Sequence, residues 1–91
     1  MSCTLIFTEQ YNRRALCFIK RHPNLKKPYL KTLQLLEINP FHPSLRLHAL
    51  QGKLQPLHSV SINLSYRVTL ELQISEKQII LVNVGDHGTV Y

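Results

Sequence analysis

The chain has 91 residues, 44% hydrophobic and 18% charged, with 11 Lys and Arg against 5 Asp and Glu, a formal charge of +6 with His neutral. That length holds one domain, residues 1–91, with a modest core, and that composition excludes a disordered or fibrous chain. The positive excess points either to a polyanionic partner (nucleic acid, an anionic membrane or an acidic protein) or to solubility alone.

Cys3 to Phe7 is a short β-prone run. Thr8 is placed to cap a helix, with Glu9 in its first turn and Lys20, Arg21 and His22 in its last, where acidic and basic side chains suit the helix dipole. Tyr11, Ala15, Phe18 and Ile19, with Leu16 beside them, form an apolar stripe at helical spacing. Arg13, Arg14, Lys20 and Arg21 lie mostly off it, and Pro23 ends the helix. A second helix starts near Leu25 or Pro28 and runs to Ile38, with Tyr29, Leu30, Leu33 and Leu36 expected to face the core. The two helices read as an αα-hairpin. Pro40 and Pro43 then open a long connection over residues 39–56 that carries Arg46, His48, Gly52 and Lys53.

The remainder alternates with period two. Val60, Ile62 and Leu64 interleave with Ser59, Ser61 and Asn63, and Tyr66, Val68, Leu70 and Leu72 interleave with Arg67, Thr69, Glu71 and Gln73. Ser75-Glu76-Lys77 turns the chain into a last apolar run, Ile79 to Val84. The expected class is α+β, in the order β-α-α-β-β-β, with the helix pair on one face of a small antiparallel sheet. A tight turn at Leu64-Ser65 would pair Ile62 with Val68 and Val60 with Leu70, and the following turn would pair Leu72 with Ile80, Leu70 with Val82 and Val68 with Val84. Arg67 then falls between Asn63 and Gly85, on the face away from the core and close to the Gly85-Asp86-His87 turn. In that register His58 pairs near Leu72, about 17 Å from Arg67, as a solvated strand-end residue.

Cys3 and Cys17 make no disulfide framework and read as packed free thiols, the N-terminal stretch lacks the pattern of a signal peptide, and no apolar run reaches the ~18 residues of a membrane span. A cytoplasmic protein is expected, without a membrane partner. Five His and two Cys show no Cys-x-x-Cys or His-x-x-x-His spacing, so no metal site is expected, and five scattered acidic residues argue against a paired-carboxylate or Mg²⁺ nuclease.

RNA can be cut without a metal. The ribose 2′-hydroxyl attacks the adjacent phosphate, which requires a base, a cation for the phosphoryl charge and an acid for the leaving oxygen. His87 as acid or base, Arg67 as the cation and Tyr91 as a stacking or donating ring form one constellation, with His48 assisting. Lys53, Arg46 and Asn63 are the candidate RNA contacts. Each has a plainer reading: a turn cap for His87, a surface pair with Glu71 for Arg67, a packed anchor for Tyr91, and solvated side chains for Lys53 and His48.

Three segments, His48-Ala49-Leu50-Gln51-Gly52-Lys53-Leu54, Ser65-Tyr66-Arg67-Val68 and Val84 to Tyr91, resemble in order and spacing the RelE/ParE toxin superfamily of type II toxin–antitoxin systems, and most nearly its YafQ-like, plasmid-stabilisation branch. The resemblance covers nearly the whole chain. It implies an mRNA interferase that cleaves messenger RNA on the ribosome without metal or small-molecule cofactor, held inactive by a cognate acidic antitoxin protein. It also implies catalytic roles for the positions matching His48, His87 and Tyr91, and phosphate contact by Arg67. The chain departs from the pattern over Ser59–Ser65, which has neither the further His nor the Asp of YafQ-like toxins, so the general base is unassigned. Two alternatives remain: a non-enzymatic, ParE-like toxin that binds and poisons DNA gyrase, and an RNA-binding domain without chemistry.

Overall fold

The structure, a computed structural model, describes residues 2–52 and 56–86. Lys53, His87 and Tyr91 lie outside the described residues. The elements are β1 (Thr4–Phe7), α1 (Glu9–Arg21), α2 (Lys26–Ile38), β2 (His48–Ala49), β3 (His58–Ser61), β4 (Tyr66–Gln73) and β5 (Gln78–Asp86), with 3-10 turns at Pro23–Leu25, Pro43–Leu45 and Ile74–Glu76.

Helix α1 begins as its sequence dictates: the Thr8 hydroxyl accepts the Tyr11 N–H at 3.1 Å, satisfying one of the orphan donors of the first turn. Its C-terminal His22 N–H closes on the Phe18 carbonyl before Pro23. Helix α2 starts at Lys26, so that Pro28 sits in the first turn, where its missing N–H costs nothing. Tyr11, Phe18, Tyr29, Leu33 and Leu36 meet Val60, Val68, Leu70, Ile79, Leu81 and Val84 of the sheet in one core. Leu16 and Leu30 do not join it: both are exposed, and Thr32 occupies the buried position beside Leu33 instead, its hydroxyl donating to the Pro28 carbonyl at 2.9 Å. Cys3 is buried as expected, whereas Cys17 is exposed.

The sheet has five strands in the order β1-β5-β4-β3-β2. It is mixed rather than antiparallel, because β1 lies parallel to β5, with Thr4 against Gln78 and Phe7 against Leu81. The long connection contributes a two-residue strand, β2, which pairs His48 with Ser59 and Ala49 with His58.

The expected β3–β4 register is displaced by two residues: Val60 pairs with Val68 and Ser61 with Arg67. The turn is wider than a two-residue hairpin, since both the Ile62 and Asn63 N–H groups reach the Tyr66 carbonyl and the Asn63 side-chain oxygen accepts from Ser65 and Tyr66 at 2.8 and 2.9 Å. A displacement of two preserves the facing, so Arg67 remains on the side away from the core. Between β4 and β5, Arg67–Gly85 and Val68–Val84 pair as expected, but an irregularity between Thr69 and Leu70 shifts the remainder by one, placing Leu70 opposite Leu81 and Leu72 opposite Ile79. That bulge puts Ile79 and Leu81 in the core in place of Ile80 and Val82. His58 does begin a strand, β3, but it is not solvated: it lies between Ala49 and Leu70 rather than near Leu72, half-buried, and its Nδ1 is enclosed without a partner.

Candidate functional site

Alternation gives the sheet one apolar face toward the helices and one polar face. Val60, Val68, Leu70 and Val84 occupy the first. The second carries two cross-strand rows. His48, Ser59, Thr69 and Asn83 form one, and Ser61, Arg67 and Gly85 the other. The rows are two residues apart along each strand. Arg67 and His48 therefore lie two strands and one two-residue step from each other, roughly 12 Å between backbones at ordinary sheet spacings, so that two long side chains bracket the ground between.

Arg67 is half-buried, and its Nη1 donates to the Ser61 hydroxyl over a long 3.4 Å. Its Nε is enclosed and has no acceptor, and Thr69 Oγ1 beside it is likewise enclosed and unpartnered. No carboxylate pairs with Arg67 among the described residues. The one ion pair there, Arg13 with Glu9, is on α1, and Glu71 accepts instead from the Gln73 amide at 2.8 Å. The surface pairing of Arg67 with Glu71 is therefore not formed. A guanidinium left short of acceptors in the middle of a sheet face is suited to an oxyanion brought by a ligand. Across from it on β5 stands Gly85, which puts no side chain beside the guanidinium on that strand.

His48 is exposed at the sheet edge. Its ring lies 3.3 Å (Nε2) and 3.5 Å (Nδ1) from the Ser59 hydroxyl, and its Nδ1 is 3.4 Å from the Arg46 carbonyl. Ser59 itself is fully buried under the row. Arg46 holds a left-handed backbone conformation (φ 51°) at the end of the Pro43–Leu45 turn, with an exposed side chain two residues from His48. That is an unfavourable conformation for a non-glycine residue, and it redirects the chain into β2. Asn63 is exposed and shapes the β3–β4 turn; it does not face Arg67. His58 belongs to the Leu70 row on the apolar face, which removes it from this site for a reason other than distance.

The structure thus brings together Arg67 and His48, with Arg46 at the rim. His87 follows β5 directly in sequence, after Asp86, the residue that pairs with Tyr66. Sequence reasoning missed Ser59, Ser61 and Thr69, which look like ordinary polar alternation and become site residues only once β2 is known to pair with β3. It also passed over His22, whose ring packs 4.7 Å from that of Tyr66. No group of three or more His, Cys, Asp or Glu among the described residues is placed to share a metal ion, and no helix among them is long and apolar enough to cross a membrane.

No protein-family model matches the sequence, and no curated protein matches it at the sequence level. Solved structures do match in shape. A metal-bound toxin from Helicobacter pylori superimposes with a TM-score of 0.76 at 20% identity over 100% of both chains. The toxin of the E. coli DinJ–YafQ toxin–antitoxin complex gives 0.70 at 22% identity over 100% of this chain and 99% of that one. The YoeB–YefM complex from Staphylococcus aureus gives 0.71 at 16% identity over 96% and 99%. The fold is therefore that of the RelE-like toxins, two helices on a five-stranded mixed sheet, across essentially the whole chain.

Proposed function

We propose that this chain is the toxin of a type II toxin–antitoxin pair and that it cleaves messenger RNA on the ribosome without a metal ion. The observation that carries the reading is Arg67: a permanent cation on the polar sheet face, contacted by one hydroxyl at 3.4 Å, with no carboxylate partner among the described residues and a glycine opposite. In phosphodiester cleavage the 2′-oxygen bonds to phosphorus as the bond to the 5′-oxygen breaks, leaving a cyclic phosphate and a free 5′-hydroxyl. Arg67 stabilises the charge gathering on the non-bridging oxygens, where a fixed cation acts on the transition state more than on the ground state. His48 and His87 divide the proton transfers, one accepting from the 2′-hydroxyl and one donating to the 5′-oxygen. Arg46 and Lys53 hold the flanking backbone, and Tyr91 orients a base.

The neighbours support the rest of the reading by analogy. Two of them were solved as complexes with the antitoxins DinJ and YefM, which suits a basic toxin with an acidic protein partner. The test is translation with purified ribosomes followed by primer extension. Wild-type protein cuts the message, and His87→Ala and Arg67→Met variants do not. Intact message in the presence of folded wild-type protein removes the reading, and inhibition of gyrase supercoiling by that same protein replaces it with a gyrase poison.

A further inference from the structure

Strand β1 covers β5 only from Gln78 to Leu81, so no strand among the described residues flanks Val82 to Asp86 on that side. Helix α1 runs alongside instead, tied to the free edge by Arg14, whose Nη1 donates to the Val82 carbonyl at 3.1 Å. Between helix and edge is a cleft of about 350 Å³. One wall is cationic: Arg14 and Arg21, two helical turns apart on one face of α1, with Arg13, exposed and paired with Glu9 at 3.2 Å, at the rim. The end wall is aromatic, the Tyr66 ring packing 4.7 Å from His22 and edge-on, 5.4 Å, to Phe18. The opposite wall is formed by Asn83 to Asp86, the segment whose other side pairs with Thr69, Arg67 and Tyr66 of β4, with the Asp86 carboxylate at its end.

We infer that this cleft binds a nucleotide of the RNA that flanks the cleavage point, its phosphate against Arg13 and Arg21 and its base against Tyr66 and His22. The inference rests on the RNA-cleaving reading above. Guanidinium groups on one wall and rings on another are what single-stranded nucleic acid requires, charge for its backbone and a flat apolar surface for its bases. The volume is at the small end of ligand sites, which fits one nucleotide. The cleft opens on the helix side of β5 and Arg67 stands on the opposite face of the sheet, so one strand of RNA reaches both by passing over the β5 edge.

Cys17 supplies the reporter. It lines the cleft and is exposed, whereas Cys3 is buried. A fully 2′-O-methylated RNA octamer binds without being cut, because the attacking hydroxyl is blocked. Its addition should slow iodoacetamide labelling of Cys17 in the native protein about tenfold. An Arg13→Gln/Arg21→Gln double variant should abolish that protection, weaken octamer binding about tenfold and lower its salt dependence by one to two ion equivalents, as expected for losing one or two phosphate contacts. Lys27→Glu, an exposed change on α2, should do neither. An octamer that binds, and binds less well to Arg67→Met, while Cys17 labels at the free rate overturns the cleft and leaves the RNA reading standing. An octamer that does not bind at all overturns the cleft, and the RNA reading falls with it only if the same protein also leaves ribosome-bound message uncut. A glutamate decapeptide that protects Cys17 where the octamer does not overturns the nucleotide assignment in favour of an acidic protein segment.

Discussion

Replacing Arg67 with Met separates a residue held for function from one held for structure. The native side chain gives the fold little: its hydrogen bond to Ser61 is 3.4 Å long, its enclosed Nε has no acceptor, and no carboxylate offsets its charge among the described residues. An ordinary hydrogen bond contributes about 0.5–1.5 kcal/mol, and one this long falls at or below the lower end. Met keeps the apolar stem and its packing and relieves a partly desolvated charge. The two changes oppose each other, and stability should move by less than about 1 kcal/mol in either direction. Cleavage should fall far more. Removing a group that stabilises developing oxyanion charge costs about 2.7–4 kcal/mol of barrier, or about 10²–10³ in rate. Urea unfolding at constant m-value measures the first quantity, and single-turnover cleavage of ribosome-bound message measures the second. A variant that loses more than about 2 kcal/mol of stability, or that cleaves within tenfold of wild type, would refute the assignment of Arg67 to phosphate.

Three further outcomes follow from the same geometry. Burial raises the Tyr11 phenol well above its ordinary value of 10.0, with Tyr29 adding to the effect, and burial raises Tyr29 as well against a smaller opposing effect of their 2.7 Å hydrogen bond. Below pH 10 both phenols are neutral folded or unfolded, so they add no pH dependence. Above it the unfolded chain ionises first, and stability should fall by up to about 1.4 kcal/mol per pH unit for each Tyr. Urea melts from pH 8 to 11.5 should show that slope in wild type and lose it in Tyr11→Phe/Tyr29→Phe, and an equal slope in both proteins would place the titration elsewhere. His48→Ala, at an exposed sheet edge, should leave the melting temperature unchanged and reduce cleavage about a hundredfold or more; undiminished cleavage would take His48 out of the chemistry. Thr8→Ala should cost about 1 kcal/mol through the lost cap on Tyr11 N–H, read as a lower urea midpoint, and an unshifted midpoint would mean that water caps the helix equally well.

The local physics was legible in the sequence to different depths. The start and stop of α1 were written in Thr8 and Pro23, and the polar face of β4 in its strict alternation. The β3–β4 register was misjudged because Asn63 builds a four-residue turn from side-chain hydrogen bonds, which strand alternation does not reveal. The exchange of Ile80 and Val82 for Ile79 and Leu81 in the core follows from one bulge beside a stretch, Ile79 to Val82, where every residue is apolar, so no period marks which face is buried. Strand β2 spans two residues, too few for any periodicity, and it is the element that carries His48 to Ser59 and so completes the site face. The parallel docking of β1 on β5 joins distant segments and leaves no local trace.

That parallel pairing has a consequence in time. Strand β5 joins the two parts of the sheet, lying between β1 and β4, yet it is made after every other described strand. During synthesis β1 and α1 emerge early and wait, their partner not yet translated, while the β4 arginine lacks the strand that will stand across from it. The polar row that carries Arg67 is thereby completed only when β5 is in place.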